Sequence, residues 1–233
     1  MTTPRYPWLL FDLDDTLLDF RRAEAEALRL AFEASAVPFE DAWLPVYHHV
    51  NGEAWQALEQ GRIDPAELRW RRFETLFARL GLTGRLDPHA FSPLYLSSLS
   101  RQAHAVDGAV NLLDGLRARH RFAVITNGLS DVQRPRIAAS AIVGHIDHLV
   151  ISEEIGVAKP DPAFFDVALD GIGRPDPSGI LVIGDSLSSD IAGGVNAGLD
   201  TCWFNPQGKT RPAGAPTPTF EIRSLADLPA LVG

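Results

Sequence analysis

The segment Phe11-Asp12-Leu13-Asp14-Asp15-Thr16-Leu17 places three carboxylates within four residues, directly after the apolar run Trp8-Leu9-Leu10-Phe11. Like charges this close are costly unless a cation or a proton neutralises them. Capping of a following helix is the plainer use for Asp and Thr in such a place. A second acidic segment, Ile183-Gly184-Asp185-Ser186, is followed by Asp190 five residues after Asp185. If both segments end parallel strands at one crevice, they form an oxygen-only set suited to Mg²⁺, which takes carboxylates, water and substrate phosphate. The alternative for Asp190 is an ordinary helix N-cap, and the two uses are compatible.

Two further segments carry groups that suit an anion. Val124-Ile125-Thr126-Asn127-Gly128 offers a hydroxyl and the N–H groups of a flexible turn, although the same residues serve common turns. Gly156-Val157-Ala158-Lys159-Pro160-Asp161-Pro162 sets a lysine between an apolar segment and a proline-locked turn. Of the 21 basic residues only Lys159 and Lys209 are lysine, so a solvated surface role is less natural for Lys159 than in a lysine-rich chain.

The elements that must position these groups read as an α/β fold. Apolar runs at Trp8–Asp12, Phe122–Thr126, His148–Ser152, Ile180–Asp185 and Thr201–Asn205 are continuous, as in strands buried on both faces of a parallel sheet. Helical patterns lie between them: near Val110–His120, after Asp161-Pro162, and after Asp190. From about Phe20 to His104 no strand pattern occurs. There Ala25, Leu28 and Phe32 share one helical face, and Phe73, Leu76, Phe77 and Leu80 another. The expectation is a Rossmann-like core with a five-stranded parallel sheet from residues 1–19 and 105–233, interrupted by an all-helical cap over 20–104.

The composition limits the function classes. The 233 residues are 45% hydrophobic and 22% charged, which is globular. A net charge of −9 argues against nucleic acid or an anionic membrane as a partner, so any phosphate must be held by a local site. The first apolar run stops at Asp12, well short of a membrane span, and the single cysteine, Cys202, allows no internal disulfide. A cytoplasmic protein is expected.

The joint pattern resembles the haloacid dehalogenase-like hydrolase superfamily. Its four motifs match Asp12-Leu13-Asp14, Thr126, Lys159 and Gly184-Asp185 with Asp190, and a helical cap follows the first motif. The segments Thr126-Asn127-Gly128, Val150–Pro160, Asn196-Ala197-Gly198-Leu199 and Thr201-Cys202-Trp203, and more weakly Trp55, Gly61 and Arg72-Phe73, are similar to the branch of pyrimidine 5′-nucleotidases that acts on non-canonical nucleotides. The resemblance implies that Asp12 is a nucleophile forming an aspartyl-phosphate, and that Asp14 is the general acid and base. It further implies that Asp12, Asp14 (through its carbonyl), Asp185 and Asp190 hold Mg²⁺, while Thr126, Lys159 and the N–H groups of Asn127 and Gly128 bind the phosphoryl oxygens. A small phosphomonoester, in this branch a nucleotide, would be the substrate. Trp43, Trp55 and Trp70, with Arg62, Arg69, Arg71 and Arg72, are the cap residues available for base recognition or for the cap's own core. Rival readings are a dehalogenase, which has no use for the second acid Asp14, a sugar phosphomutase, and a phospho-accepting receiver, which lacks the cap.

Overall fold

The computed structural model describes residues 4–233. Among these, six strands form one sheet: β1 (Trp8–Phe11), β2 (Arg121–Thr126), β3 (His148–Ile151), β4 (Ile180–Gly184), β5 (Asp200–Phe204) and β6 (Phe220–Ile222). Their order is β3-β2-β1-β4-β5-β6, and each neighbouring pair is parallel. The direction of winding reverses between β1 and β4, and at such a switch point an open α/β sheet leaves a crevice beyond the strands' carboxyl ends.

The expectation of five strands is corrected to six. The extra strand pairs Phe220 with Cys202 and Ile222 with Phe204. Three residues behind a proline-rich loop are too few to show a period, which is why sequence pattern does not reveal it.

The continuous apolar runs reflect burial on both faces. Leu9, Phe11, Phe122, Val124, Leu181 and Ile183 join one core cluster, whereas Leu10, Ala123, Ile125, Ile180 and Val182 join the other. Helices complete each cluster. In chain order they are α1 (Phe20–Ala34), α2 (Trp43–Glu59), α3 (Pro65–Leu80), α4 (Pro88–Leu99), α5 (Ala109–Leu116), α6 (Ser130–Ala139), α7 (Ser152–Ile155), α8 (Pro162–Gly171), α9 (Ala192–Asn196) and α10 (Pro229–Val232). Leu112, Leu113 and Leu116 of α5 pack on the first cluster, and Phe164, Phe165 and Ala168 of α8 on the second. The N-cap expected at Asp161 is present: its carboxylate accepts from Ala163 N at 2.9 Å. Helix α5 stops at Leu116 rather than reaching His120, because His120 turns its ring inward to bond Tyr6 O at 2.7 Å and β2 begins at the next residue.

The chain divides into two compact units. One comprises residues up to Phe20, Ala103–Ser130 and Ile137–Gly233; the other comprises Arg21–Gln102 and Asp131–Arg136. The short second piece of the helical unit is held there by side chains. Arg69 grips Asp131 with two bonds of 2.8 and 3.0 Å, and Arg136 Nε donates to Gln102 O at 2.9 Å.

Within the helical unit, α3 starts with a capping box at Asp64 and Glu67 and ends at Gly81 in the left-handed conformation. Its face Phe73, Leu76 and Phe77 is buried as the spacing predicts, with Leu80 only half-buried. On α1 the expected stripe is shifted: Leu28 and Phe32 are buried, but Ala25 is half-exposed and Glu24 takes the inward position. The carboxylate is tolerated because Asn51 donates to it at 3.3 Å and itself accepts from the buried Arg72 at 3.0 Å.

Leu10 lies mid-strand in the central β1 and is fully buried. Leu10→Ala should therefore cost about 2–5 kcal/mol, read as a lower urea midpoint with an unchanged m-value.

Candidate active site

Residue by residue, the carboxyl edge of the sheet is built by short, specific contacts. Asp12 follows β1 directly, and its N–H extends the ladder to Ile183 O at 2.8 Å. The chain then closes into a tight loop, with Leu17 N and Leu18 N both donating to Leu13 O, at 2.9 and 2.8 Å. Asp15 adopts a left-handed backbone at φ 59° and accepts from Phe20 N at 3.0 Å. Helix capping thus accounts for Asp15. Asp12 is buried at the edge, and Asp14 is half-buried between the two.

Lys159 joins the edge from the far side of β2. Its Nζ donates to Asp12 Oδ1 at 2.7 Å, to Asp190 Oδ1 at 2.6 Å and to Ile125 O at 2.8 Å. The Asn127 side chain fixes the lysine's backbone, donating to Lys159 O at 2.9 Å and accepting from Lys159 N at 2.8 Å. The Lys159–Pro160 bond is cis. Asn127 therefore acts through its amide as a clamp, a use that its place in a turn did not suggest. Thr126 Oγ1 is buried and accepts from Gly128 N at 3.2 Å, so the turn folds back over the hydroxyl. Beyond it, Ser130 N donates to Glu153 Oε2 at 2.7 Å and Ser130 Oγ bonds Glu154. That pair ties the loop after β2 to α7.

On the β4 side, the N-cap reading of Asp190 is corrected. Ser186 is the N-cap, its Oγ accepting from Ser189 N, and Asp190 sits inside a turn of π-helix over Leu187–Ile191. Asp190 Oδ2 reaches back to accept from Ser186 N at 3.0 Å. Only glycine fits beneath it, since a Cβ on Gly184 would lie 2.2 Å from Asp190 Oδ2. The Asp185 carbonyl is held by Trp203 Nε1 at 2.9 Å. Sequence reasoning did not assign Trp203 a part here; its place at the end of the strand next to β4 is the only signal.

Carboxylate oxygens of Asp12, Asp185 and Asp190 all lie within 4.8 Å of one another. With Lys159 they leave two negative charges uncompensated. Burial pushes the Asp12 carboxyl well up, Lys159 offsets part of this, and Asp190 and Asp185 add to it. Burial lowers Lys159, but Asp12 and Asp190 beside it outweigh that and hold it charged. Asp185 is pushed up to about 7 by burial first, then by Asp190 and Asp15, with Lys209 and Lys159 opposing. Asp190 is committed through both oxygens, which leaves Asp12 Oδ2 and the Asp185 carboxyl to meet a cation. An all-oxygen, net-anionic, mostly buried set fits a hard divalent ion.

In the helical unit the tryptophans and arginines are dispersed, except that Arg69 and Trp70 line one cavity of about 540 Å³ with His89 and Asp131. Trp43 packs on Phe32 and Phe39, Trp70 stacks on His89 at 4.4 Å, and Trp55 is half-buried. Arg62 bonds Gln60, Arg71 pairs with Glu67, Arg69 with Asp131, and Arg72 is buried over the rings of Phe73 and Tyr95. Trp43 thus serves the unit's own core.

A divalent cation held by this set would have to displace the proton from Asp185, whose carboxyl is pushed up to about 7, so its affinity would fall as pH drops through that value. Calorimetric titration with Mg²⁺ should show Kd rising from about pH 8 to about pH 6, approaching tenfold per unit at the acid end. A Kd independent of pH would contradict the assigned ligand.

Comparison with known proteins places the chain in a family. A family model described as haloacid dehalogenase-like hydrolase matches residues 6–198. Pyrimidine 5′-nucleotidase YjjG of Escherichia coli is 36% identical over 228 residues, covering 98% of this chain and 98% of that protein. Pyrimidine 5′-nucleotidase PynA of Streptococcus pneumoniae is 37% identical, covering 96% of this chain and 93% of that protein. The crystal structure of the putative HAD-hydrolase YfnB from Bacillus subtilis, bound to magnesium, superposes with a TM-score of 0.91 at 36% identity, over 98% of this chain and 99% of that one. With its six-stranded parallel sheet, its acidic switch point and these relatives, the chain belongs to the haloacid dehalogenase-like hydrolase family.

Proposed function

We propose that the protein is a Mg²⁺-dependent phosphatase that hydrolyses pyrimidine nucleoside 5′-monophosphates through an aspartyl-phosphate on Asp12. The observation that carries the phosphatase reading is the buried group of Asp12, Lys159, Asp185 and Asp190 at the switch point. The two nucleotidases matched along nearly their whole length support the substrate class.

Asp12 attacks phosphorus as its carboxylate, so no histidine base is needed; Lys159, bonded to it at 2.7 Å, orients it and favours the ionised form against the burial that raises it. Asp14 protonates the departing alkoxide and then takes a proton from the water that cleaves the intermediate. Asp12 and Asp185, with the Asp14 carbonyl, would hold Mg²⁺, and Asp190 orients Lys159. The bound ion supplies positive charge against the phosphoryl oxygens. Thr126, Lys159 and the turn at Asn127 and Gly128 bind those same oxygens, and phosphoryl transfer asks mainly for such positioning and charge. Among the described residues no helix is long and apolar enough to cross a membrane.

Asp12→Asn should abolish hydrolysis while preserving shape. Asp14→Asn should slow alkyl phosphates by roughly 10²–10⁴-fold and affect formation of the aspartyl-phosphate from nitrophenyl phosphate far less. Equal loss on both esters would reject Asp14 as the proton donor. For the substrate class, kcat/KM across uridine, thymidine, adenosine and guanosine monophosphates and glucose 6-phosphate should rank the pyrimidines first. Purines should be slow substrates, since excluding one ring is worth only about 1–3 kcal/mol. A sugar phosphate ranking first would reject the nucleotidase reading and leave the phosphatase intact.

A further inference from the structure

The chain's two lysines are held by the same device. At the end of β2, the Asn127 amide bonds both backbone groups of Lys159, at 2.9 and 2.8 Å. At the end of β5, the Asn205 amide bonds both backbone groups of Lys209: its Nδ2 donates to Lys209 O at 2.9 Å, and its Oδ1 accepts from Lys209 N at 2.9 Å. Asn205 is buried, and its amide is further fixed by Glu221 Oε1 at 2.7 Å. The chain returns over Asn205 through Gly208, whose φ of +62° suits glycine and whose N–H bonds Asn205 O at 3.0 Å. A buried asparagine satisfied at every point is a costly way to fix a loop unless the residue it presents has a task.

What differs is the side chain. The Lys159 ammonium is buried and paired with Asp12 and Asp190. Lys209 is exposed and its ammonium has no ion-pair partner among the described residues. Strand β5 runs parallel to β4, with Trp203 beside Gly184, so the loop that follows Phe204 leaves the sheet at the same carboxyl edge as Asp185 and carries Lys209 on the β4–β5 side, in a protein whose net charge is −9.

A phosphomonoester dianion must approach that edge against a net negative field. We propose that Lys209 is a second phosphate-capturing lysine of the site: an exposed ammonium, fixed by Asn205, that draws the dianion to the sheet edge and takes no part in bond breaking. This rests on the phosphatase reading but not on the nucleotide, because only the phosphate is recognised. The requirement is positive charge at one place, so arginine serves where alanine or glutamate does not.

The test uses the full-length, Mg²⁺-loaded enzyme with nitrophenyl phosphate, an ester without base or sugar. Hydrolysis by the wild type tests the phosphatase reading, and the ratio of variant to wild type tests Lys209. Lys209→Ala should lower kcat/KM by roughly threefold to tenfold, with the loss carried by KM, and should weaken binding of inorganic phosphate by the same factor in calorimetry. Lys209→Glu should lose more, Lys209→Arg should recover most of the loss, and the differences should fade in high salt. The proposal is overturned if kcat falls as much as kcat/KM, if arginine fails to rescue, or if phosphate binding is unchanged while Mg²⁺ binds more tightly.

Discussion

A single buried ammonium organises the acidic edge. Lys159 is 1% exposed and bonds two carboxylates and a carbonyl at once. Taking such a charge out of water costs several kcal/mol, which only close, well-aligned partners offset. The surrounding sequence meets that demand. Asn127 fixes the lysine's backbone, Ser186 orients Asp190, and the missing side chain of Gly184 leaves room for the Asp190 carboxyl.

The same contacts explain why the site remains short of positive charge. Lys159 neutralises one of three clustered carboxylates, and burial, with Asp190 and Asp15 beside it, pushes Asp185 up to about 7. A proton, a divalent cation, or the transferring phosphate together with that cation can each relieve part of the strain, and this competition couples pH, metal and substrate. The sheet makes the crowding possible. With β1 beside β4 in parallel, the register of Phe11 against Ile183 brings two acidic strand ends together across the switch point.

Much of this was legible in sequence because strand ends announce themselves. A continuous apolar run that stops at Asp12, Thr126 or Asp185 marks both the element and the edge at which its last residue acts. The resemblance supplied the ordering of those ends. The illegible parts depend on tertiary partners. Asp190 shifts from a cap into a π-turn because Ser186 takes the cap, and β6 is too short to carry a period. Glu24 displaces Ala25 on α1 because Asn51 donates to it at 3.3 Å and His48 Nε2 lies 3.1 Å from its other oxygen. The clamps made by Asn127 and Asn205 reach residues 32 and 4 positions away, and no local pattern encodes the longer one.

The most direct measurement is the stability of Lys159→Met without metal, by urea unfolding across pH. Removing the ammonium leaves Asp12 and Asp190 buried without a counter-charge, so near pH 8 the variant should be less stable than wild type by about 3–5 kcal/mol. Carboxyls whose folded pKa is raised regain stability once protonated, so the deficit should shrink steadily toward pH 6. A variant as stable as wild type at pH 8, or a deficit that does not change with pH, would contradict Lys159 as the charge that holds the acidic edge together.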